Sequence, residues 1–229
     1  LLLNEVGLDP GIDHMSAMRV IDSIKSKGGT VEEFYSLCGA LPAPESNDNP
    51  FGYKFSWSPK GVVLASRNGA HYLKHDREVK IEPVDLFKDR FSHMFPGAGE
   101  MEVYPNRDSI SFIDIYGLKG IKTMYRGTFR FPGWCEALDL IKSINLIGDE
   151  KKDYTGKTYK QFLCEQAGIR GIDIEKELKS LPGKNPTGHA VKALGWLGLF
   201  SDEPMGYHVT SPFEITSDLM IKKMWLNDN

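Results

Sequence analysis

Three short stretches hold side chains that could recognise a small charged molecule. Gly7-Leu8-Asp9-Pro10-Gly11 is a glycine-bracketed turn that runs into an amphipathic pattern. Glycines let the backbone approach a ligand closely. Free N–H groups at a helix start favour an anion, and Asp9 can accept a hydrogen bond from an amine. The same residues also read as a plain strand-to-helix connection in which Asp13 caps the helix. Pro105-Asn106-Arg107-Asp108-Ser109 separates a strand pattern from a helix pattern. The planar fork of Arg107 matches a carboxylate in two hydrogen bonds, or it pairs with a surface acid such as Asp108. In Arg126-Gly127-Thr128-Phe129-Arg130, strand alternation puts Arg126, Thr128 and Arg130 on one face. Two cations there repel unless an anion lies between them. A di- or tricarboxylate would serve; a solvated sheet face is the alternative.

Cys38 ends a strand pattern and precedes Gly39. It reads as a thiol able to hydrogen-bond a reacting group, or as a small buried hydrophobe. No histidine stands near it, so nucleophilic catalysis has no local support. His71 and His75 have metal-ligand spacing on an expected helix, but no third ligand accompanies them, so no metal site is expected. His14 falls in a first helical turn, within reach of the Asp9 segment. The four tryptophans, 57, 134, 196 and 225, read mostly as core. No Gly-x-Gly-x-x-Gly occurs. Pro96-Gly97-Ala98-Gly99-Glu100 comes nearest and lacks the third glycine, so no dinucleotide-binding βαβ unit is expected.

These residues need a scaffold. Leu1-Leu2-Leu3 reads as the end of a buried strand whose partners lie upstream, which makes the chain a piece of a larger enzyme with an N-terminal cofactor-binding part. Ligands of open α/β sheets lie beyond the carboxyl ends of the strands. Met15, Met18, Ile21 and Ile24 give a helix over 12–27, ended by Gly28-Gly29. A strand is expected over 31–37 and a loop over 43–50. A helix capped by Ser58-Pro59 is expected to run to Leu73. Strands follow at 77–81 and 101–104, a helix at 109–116, a strand at 121–131 and a helix at 134–144. Beyond Gly148 come the charge run 149–153 and helices near 158–167, 173–181, 187–199 and 212–225, with no convincing strand. The expected architecture is α/β, a mixed sheet with flanking helices over 1–148, followed by a small all-helical domain over 149–229.

Composition narrows the partners. The 229 residues are 41% hydrophobic, enough for a sizeable core, and carry a formal net charge of -3, which disfavours a phosphate-driven grip on nucleic acid. Cys38, Cys135 and Cys164 lack paired spacing and suit a reducing compartment. No stretch approaches the roughly 20 apolar residues of a membrane span.

Several motifs in order resemble saccharopine dehydrogenases of the NADP-linked, L-glutamate-forming type. They are the run Asn4 to His14, Cys38-Gly39-Ala40-Leu41-Pro42-Ala43-Pro44-Glu45, Tyr53-Lys54-Phe55-Ser56-Trp57-Ser58, Tyr104 to Ser109, and Arg126 to Arg130. The resemblance is strong to about Gly148 and weaker beyond, where Trp196 to Asp202 is the clearest echo. Ala40 stands where glycine is usual and Phe129 where leucine is usual; neither change removes a polar group.

The resemblance implies a Rossmann domain, an α/β domain that binds saccharopine, and a small helical domain. This chain matches the last two. It further implies that Leu8, Asp9 and Pro10 border both nicotinamide and substrate. Arg107, Thr128, Phe129 and Arg130 would bind the substrate's carboxylates. Trp57 and Ser58 would lie near the cofactor, and Cys38 and Asp9 would line the reacting centre. The cofactor would be NADP, or NAD, held mainly by the Rossmann domain. Two other readings stand beside this one: a related C–N-forming oxidoreductase such as a carboxynorspermidine synthase, and a non-catalytic substrate-binding module. A cytoplasmic location is expected, or a mitochondrial one within an animal-type bifunctional protein, with a homodimer left open.

Overall fold

Helix α1 (Ile12–Ser26) places Ala17 and Ile21, with Met18 partly buried beside them, against Tyr116, Leu118, Ile121 and Met124, whereas Met15 of the expected face is exposed. Gly28 stops it with φ 75°, and the N–H groups of Gly28 and Gly29 return to the carbonyls of Lys25 and Ile24. The chain is described by a computed structural model over residues 6–226. The strand reading of Leu1-Leu2-Leu3 lies outside the described residues, as does the Asn4-Glu5 part of the first motif.

A six-stranded mixed sheet follows, built on β6 (Thr123–Arg130). β1 (Glu33–Cys38) pairs with β6 in parallel from Glu33 opposite Thr123 to Cys38 opposite Thr128. β5 (Gly99–Pro105) runs antiparallel to β6, with Tyr104 opposite Thr128. β4 (Phe91–Phe95) adds to β5 at the sheet edge. The hairpin of β2 (Ala70–Lys74) and β3 (Arg77–Ile81) joins β6 through Leu73 and Met124. Helices α2 (Pro59–Ala65), α3 (Ser111–Ile115) and α4 (Trp134–Ser143) flank the sheet.

The remainder is mainly helical: α5 (Tyr159–Ala167), α6 (Ile174–Lys179), α7 (Gly188–Leu197) and α8 (Pro212–Met224). Thr158 caps α5 in a reciprocal capping box with Gln161, and Thr187 and Ser211 cap α7 and α8. One hydrophobic cluster draws on both parts. Phe55, Trp134, Leu138 and Ile141 pack in it together with Leu163, Val191, Leu194 and Met220.

Several expectations fail here. The helix from Ser58 ends at Ala65, not Leu73, because Asn68-Gly69 breaks it and residues 70–74 form β2. His71 therefore lies on a strand. His75 lies in the two-residue hairpin turn with Asp76, both at positive φ as a type I′ turn requires. The helix-face pairing of the two histidines does not exist. Ser58 is the N-cap with Pro59 at the first position, but its side chain makes no capping bond. Strand β4 has no alternating burial, since all five residues are exposed, and only its pairing with β5 defines it. The helical part also holds a small pair, β7 (Lys152–Asp153) with β8 (Val209–Thr210). Trp57 and Trp225 are about half exposed rather than core.

Candidate active site

The turn 7–11 is closed by backbone bonds: Gly7 N–H donates to Pro10 O (3.0 Å) and Ile12 N–H to Gly7 O (2.9 Å). A Cβ on Gly11, whose φ is 150°, would lie 2.1 Å from Gly7 O, so that position admits only glycine. The Asp9–Pro10 peptide is cis. The turn projects Asp9 towards the end of the sheet where β1 stops. Asp13 does not cap the helix; Gly11 is the N-cap. The Asp13 carboxylate instead accepts from Gly11 N–H (2.7 Å).

A cavity of about 680 Å³ opens at this place. Its walls are the turn 7–10, the end of β1 at Cys38-Gly39-Ala40, Tyr53, Trp57, the inner side of α2, the segment 104–107 and one face of β6. The sequence-derived candidates Leu8, Asp9, Pro10, Cys38, Trp57, Arg107, Thr128 and Arg130 all line it. Cys38, Thr128 and Tyr104 form one row across three strands. Ser58 and Phe129 do not line the cavity. Alternation explains Phe129: its ring is buried on the opposite face of β6, against Phe95 and His93.

The three arginines differ sharply. Arg126 is buried and donates through Nη2 to Asp9 (2.5 Å) and Asp13 (3.0 Å), with its guanidinium 4.2 Å over the Phe112 ring. Arg130 is equally buried but has no carboxylate partner among the described residues. Its Nη1 donates to the Phe129 carbonyl (2.7 Å), its Nε has no hydrogen-bond partner, and it packs 4.6 Å from the Tyr53 ring and 5.2 Å from Trp134. Arg107 is exposed, sits at φ 44°, and reaches both this cavity and a more open recess of about 410 Å³ beside His71 and Lys80. Its backbone is held by His71, whose N–H donates to Arg107 O (2.8 Å).

Two carboxylates thus share one guanidinium, and their proton affinities diverge. Burial pushes the Asp9 carboxyl up, and the neighbouring Asp13 charge adds to this against the pull of Arg126; the net shift is upward. Burial acts on Asp13 as well, but hydrogen bonds from the backbone of Gly11 and His14 and the charges of His14 and Arg126 outweigh it, leaving that carboxyl below its usual range. Burial also raises the Cys38 thiol, helped by Asp9 and Asp13. Cys38 at neutral pH is therefore a thiol, suited to hydrogen bonding rather than to attack.

Arg126 is expected from its strand face to share a substrate anion with Arg130, but Asp9 and Asp13 supply the anions at Arg126; Asn106, Tyr53 and Tyr104 are further cavity residues that motif membership alone does not mark as contacts. Alternation along β6 signals Arg126, and Asn106 lies in the motif with Arg107. Nothing local signals Tyr53 or Tyr104, which reach the cavity only through packing. His14 lies behind it, with Nδ1 2.6 Å from the Tyr116 hydroxyl and its ring stacked on Phe112. Among the described residues no three His, Cys, Asp or Glu side chains are grouped to hold a metal ion, and no helix is long and apolar enough to cross a membrane.

Comparison with known proteins gives a consistent result. The family model of the saccharopine dehydrogenase C-terminal domain matches residues 7–229. The chain is similar to mitochondrial alpha-aminoadipic semialdehyde synthase of Mus musculus, 41% identical over 214 residues, covering 88% of this chain and 23% of that protein. It is similar to saccharopine dehydrogenase [NADP(+), L-glutamate-forming] of Saccharomyces cerevisiae, 37% identical over 210 residues, covering 88% of this chain and 47% of that protein. Apo histidine-tagged saccharopine dehydrogenase (L-Glu forming) from Saccharomyces cerevisiae superimposes with a TM-score of 0.86 at 33% identity, over 98% of this chain and 52% of that one. The chain spans about half the length of its fungal relatives and about a quarter of the animal ones.

Proposed function

The chain belongs to the saccharopine dehydrogenase C-terminal domain family, and from this we propose that it forms the substrate-binding part of an enzyme that oxidatively splits saccharopine into L-glutamate and 2-aminoadipate 6-semialdehyde, or runs the reverse condensation. One observation carries the reading. A buried guanidinium without a carboxylate partner among the described residues, that of Arg130, faces a cavity that also holds a carboxylate of raised proton affinity, that of Asp9. Burying an unpaired cation is costly, so the site suits a ligand that brings its own carboxylates. Saccharopine brings three, together with a secondary amine.

In this reading Arg130 and Arg107 each receive a carboxylate, and Thr128 adds a hydrogen bond. Phe129 contributes indirectly, its carbonyl accepting from Arg130 Nη1 and so fixing that guanidinium. Asp9 faces the secondary amine and takes its proton. Cys38 donates to a reacting group or to water. Leu8, Asp9, Pro10, Trp57 and Ser58 are assigned to the nicotinamide of NADP, or of NAD. Leu8 and Trp57 support this, being half exposed on the cavity wall where a flat ring could stack. When bound, that cofactor would supply the hydride acceptor for the carbon beside the amine. The resulting imine takes up water and its C–N bond breaks to release the two products. Holding the reacting carbon in place is the chain's main contribution to rate.

Residues 1–148 are proposed to carry this binding work and 149–229 to buttress it. A homodimer and a cytoplasmic location, or a mitochondrial one in a bifunctional protein, belong to the same proposal. The test is turnover by the full-length protein. Saccharopine with NADP should give NADPH and glutamate, while polyamine precursors, which carry fewer carboxylates, should give little. The opposite preference would favour a carboxynorspermidine synthase. Saccharopine binding without turnover in the full-length protein would favour a binding module.

A further inference from the structure

Of the three arginines on the cavity wall, Arg126 is the one whose charge is already met by carboxylates. Its Nη2 is shared by Asp9 and Asp13, its flat face lies on Phe112, and it is buried. Its backbone is fixed as well: the N–H donates to Ser109 Oγ (3.0 Å), and the carbonyl accepts from Asn106 N–H (2.8 Å). Asn106 closes a ring by donating through Nδ2 to the second oxygen of Asp9 (3.0 Å). Each oxygen of Asp9 thus has its own donor. Asp13 is anchored in turn by Gly11 N–H.

We propose that Arg126 and Asp13 are positioning residues that hold the Asp9 carboxyl group in the cavity and set its charge, with Asn106 fixing its rotation. The proposal deepens the reading of Asp9 as the group facing the substrate amine and rests on that reading. A lone Asp9–Arg126 pair would be neutral and a weak proton acceptor. Adding Asp13 to the same guanidinium leaves this cluster of three groups with one net negative charge, which raises the proton affinity of Asp9 and strengthens it as the acceptor for the secondary amine. The other polar groups around Asp9 are His14 on α1, Cys38 on β1, Arg107 in the 105–109 segment, and Arg130 on β6. The first two are coupled to Asp9 electrically, and the last two share the cavity with it.

The two residues oppose each other, which gives a test that a scaffold role would not pass. In the full-length protein, Asp13→Asn should move the acid limb of kcat/KM for saccharopine to lower pH by about one unit or more, and Arg126→Met should move it to higher pH by a similar amount. Arg126→Lys should fall between Arg126→Met and the parent. The same opposed shifts should appear in the ¹³C carboxyl titration of Asp9, assigned by its loss in Asp9→Asn. That measurement needs no turnover. A parent protein that does not turn over saccharopine would sink the functional reading and still leave the titration to decide the positioning role. Should Arg126→Met not fold, Asp13→Asn and Arg126→Lys carry the test. An Asp9 titration that stays in place, or moves the same way in all variants, overturns the proposal.

Discussion

The guanidinium carbon of Arg130 stands 4.6 Å over the ring of Tyr53, and no carboxylate of the described residues reaches it. Aromatic faces on Tyr53 and Trp134 hold the cation through its π contacts without neutralising it. Its charge is left available to a ligand. Arg126, four residues earlier on the same face of the strand, already has its charge met by Asp9 and Asp13.

This difference predicts unequal roles for the arginines. In the full-length protein, Arg130→Met should raise the saccharopine KM by about 10- to 150-fold, the loss of one charge-assisted contact worth roughly 1.5–3 kcal/mol. Arg107→Ala should also raise it, with NADP affinity nearly unchanged in both. Titration calorimetry with each ligand separates the two. Equal loss of both affinities would contradict the carboxylate-holding role.

Asp9 should cost stability where it serves chemistry. Its proton affinity is raised in the fold, so the native state binds the extra proton between the ordinary carboxylate value and the raised one, and stability falls as pH rises through that window. Above that window the ionised Asp9 therefore costs the fold stability. Asp9→Asn should hold or raise Tm at pH 7 while turnover collapses. A clear drop in Tm would show that the Arg126 pair outweighs burial.

Gly11→Ala should break the turn. The new Cβ would meet Gly7 O at 2.1 Å and Gly7 N at 2.7 Å, both backbone atoms that cannot swing aside. The expected loss is about 3 kcal/mol or more, read by urea unfolding. A variant of parental stability and activity would mean that the turn can open to admit a side chain.

Lys142 gives a pH signature. Burial pulls its amine down to about 8, while its Nζ donates to Ser66 O (2.7 Å) and to the Pro83 carbonyl. The unfolded chain keeps the proton up to the ordinary lysine value near 10.5. Between the two values the unfolded state binds more protons, so this group makes stability rise with pH. Raised tyrosine and cysteine values act oppositely higher up, so the difference between parent and Lys142→Met isolates it. Unfolding at pH 7.5 and 9.5 should show the parent gaining relative to the variant; parallel curves would sink the assignment.

Leu194, on α7, is fully buried in the cluster that also holds Leu138 of α4. Leu194→Ala should cost about 2–5 kcal/mol. Because the cluster spans both parts, hydrogen exchange in α4 should accelerate together with that in α7. Loosening confined to 149–229 would mean that the helical part unfolds by itself.

The sequence alone determined the local items, and did so for local reasons. The three-residue recurrence of Met15, Met18, Ile21 and Ile24 made α1, and the Gly28-Gly29 pair ended it. Alternation placed Arg126, Thr128 and Arg130 on one face, and the same rule should have turned Phe129 away. The five motifs carried the family resemblance. Tertiary structure decided what local rules leave open. The stretch 70–74 became a strand because it found β3 and β6 to pair with, and β4 exists only through β5. Whether an arginine is spent or available depends on which carboxylates arrive from elsewhere in the chain: Asp9 and Asp13 reach Arg126 from more than a hundred residues away, and none of the described residues brings one to Arg130. Such long-range contacts are fixed by packing and charge in three dimensions, and no periodicity along the chain encodes them.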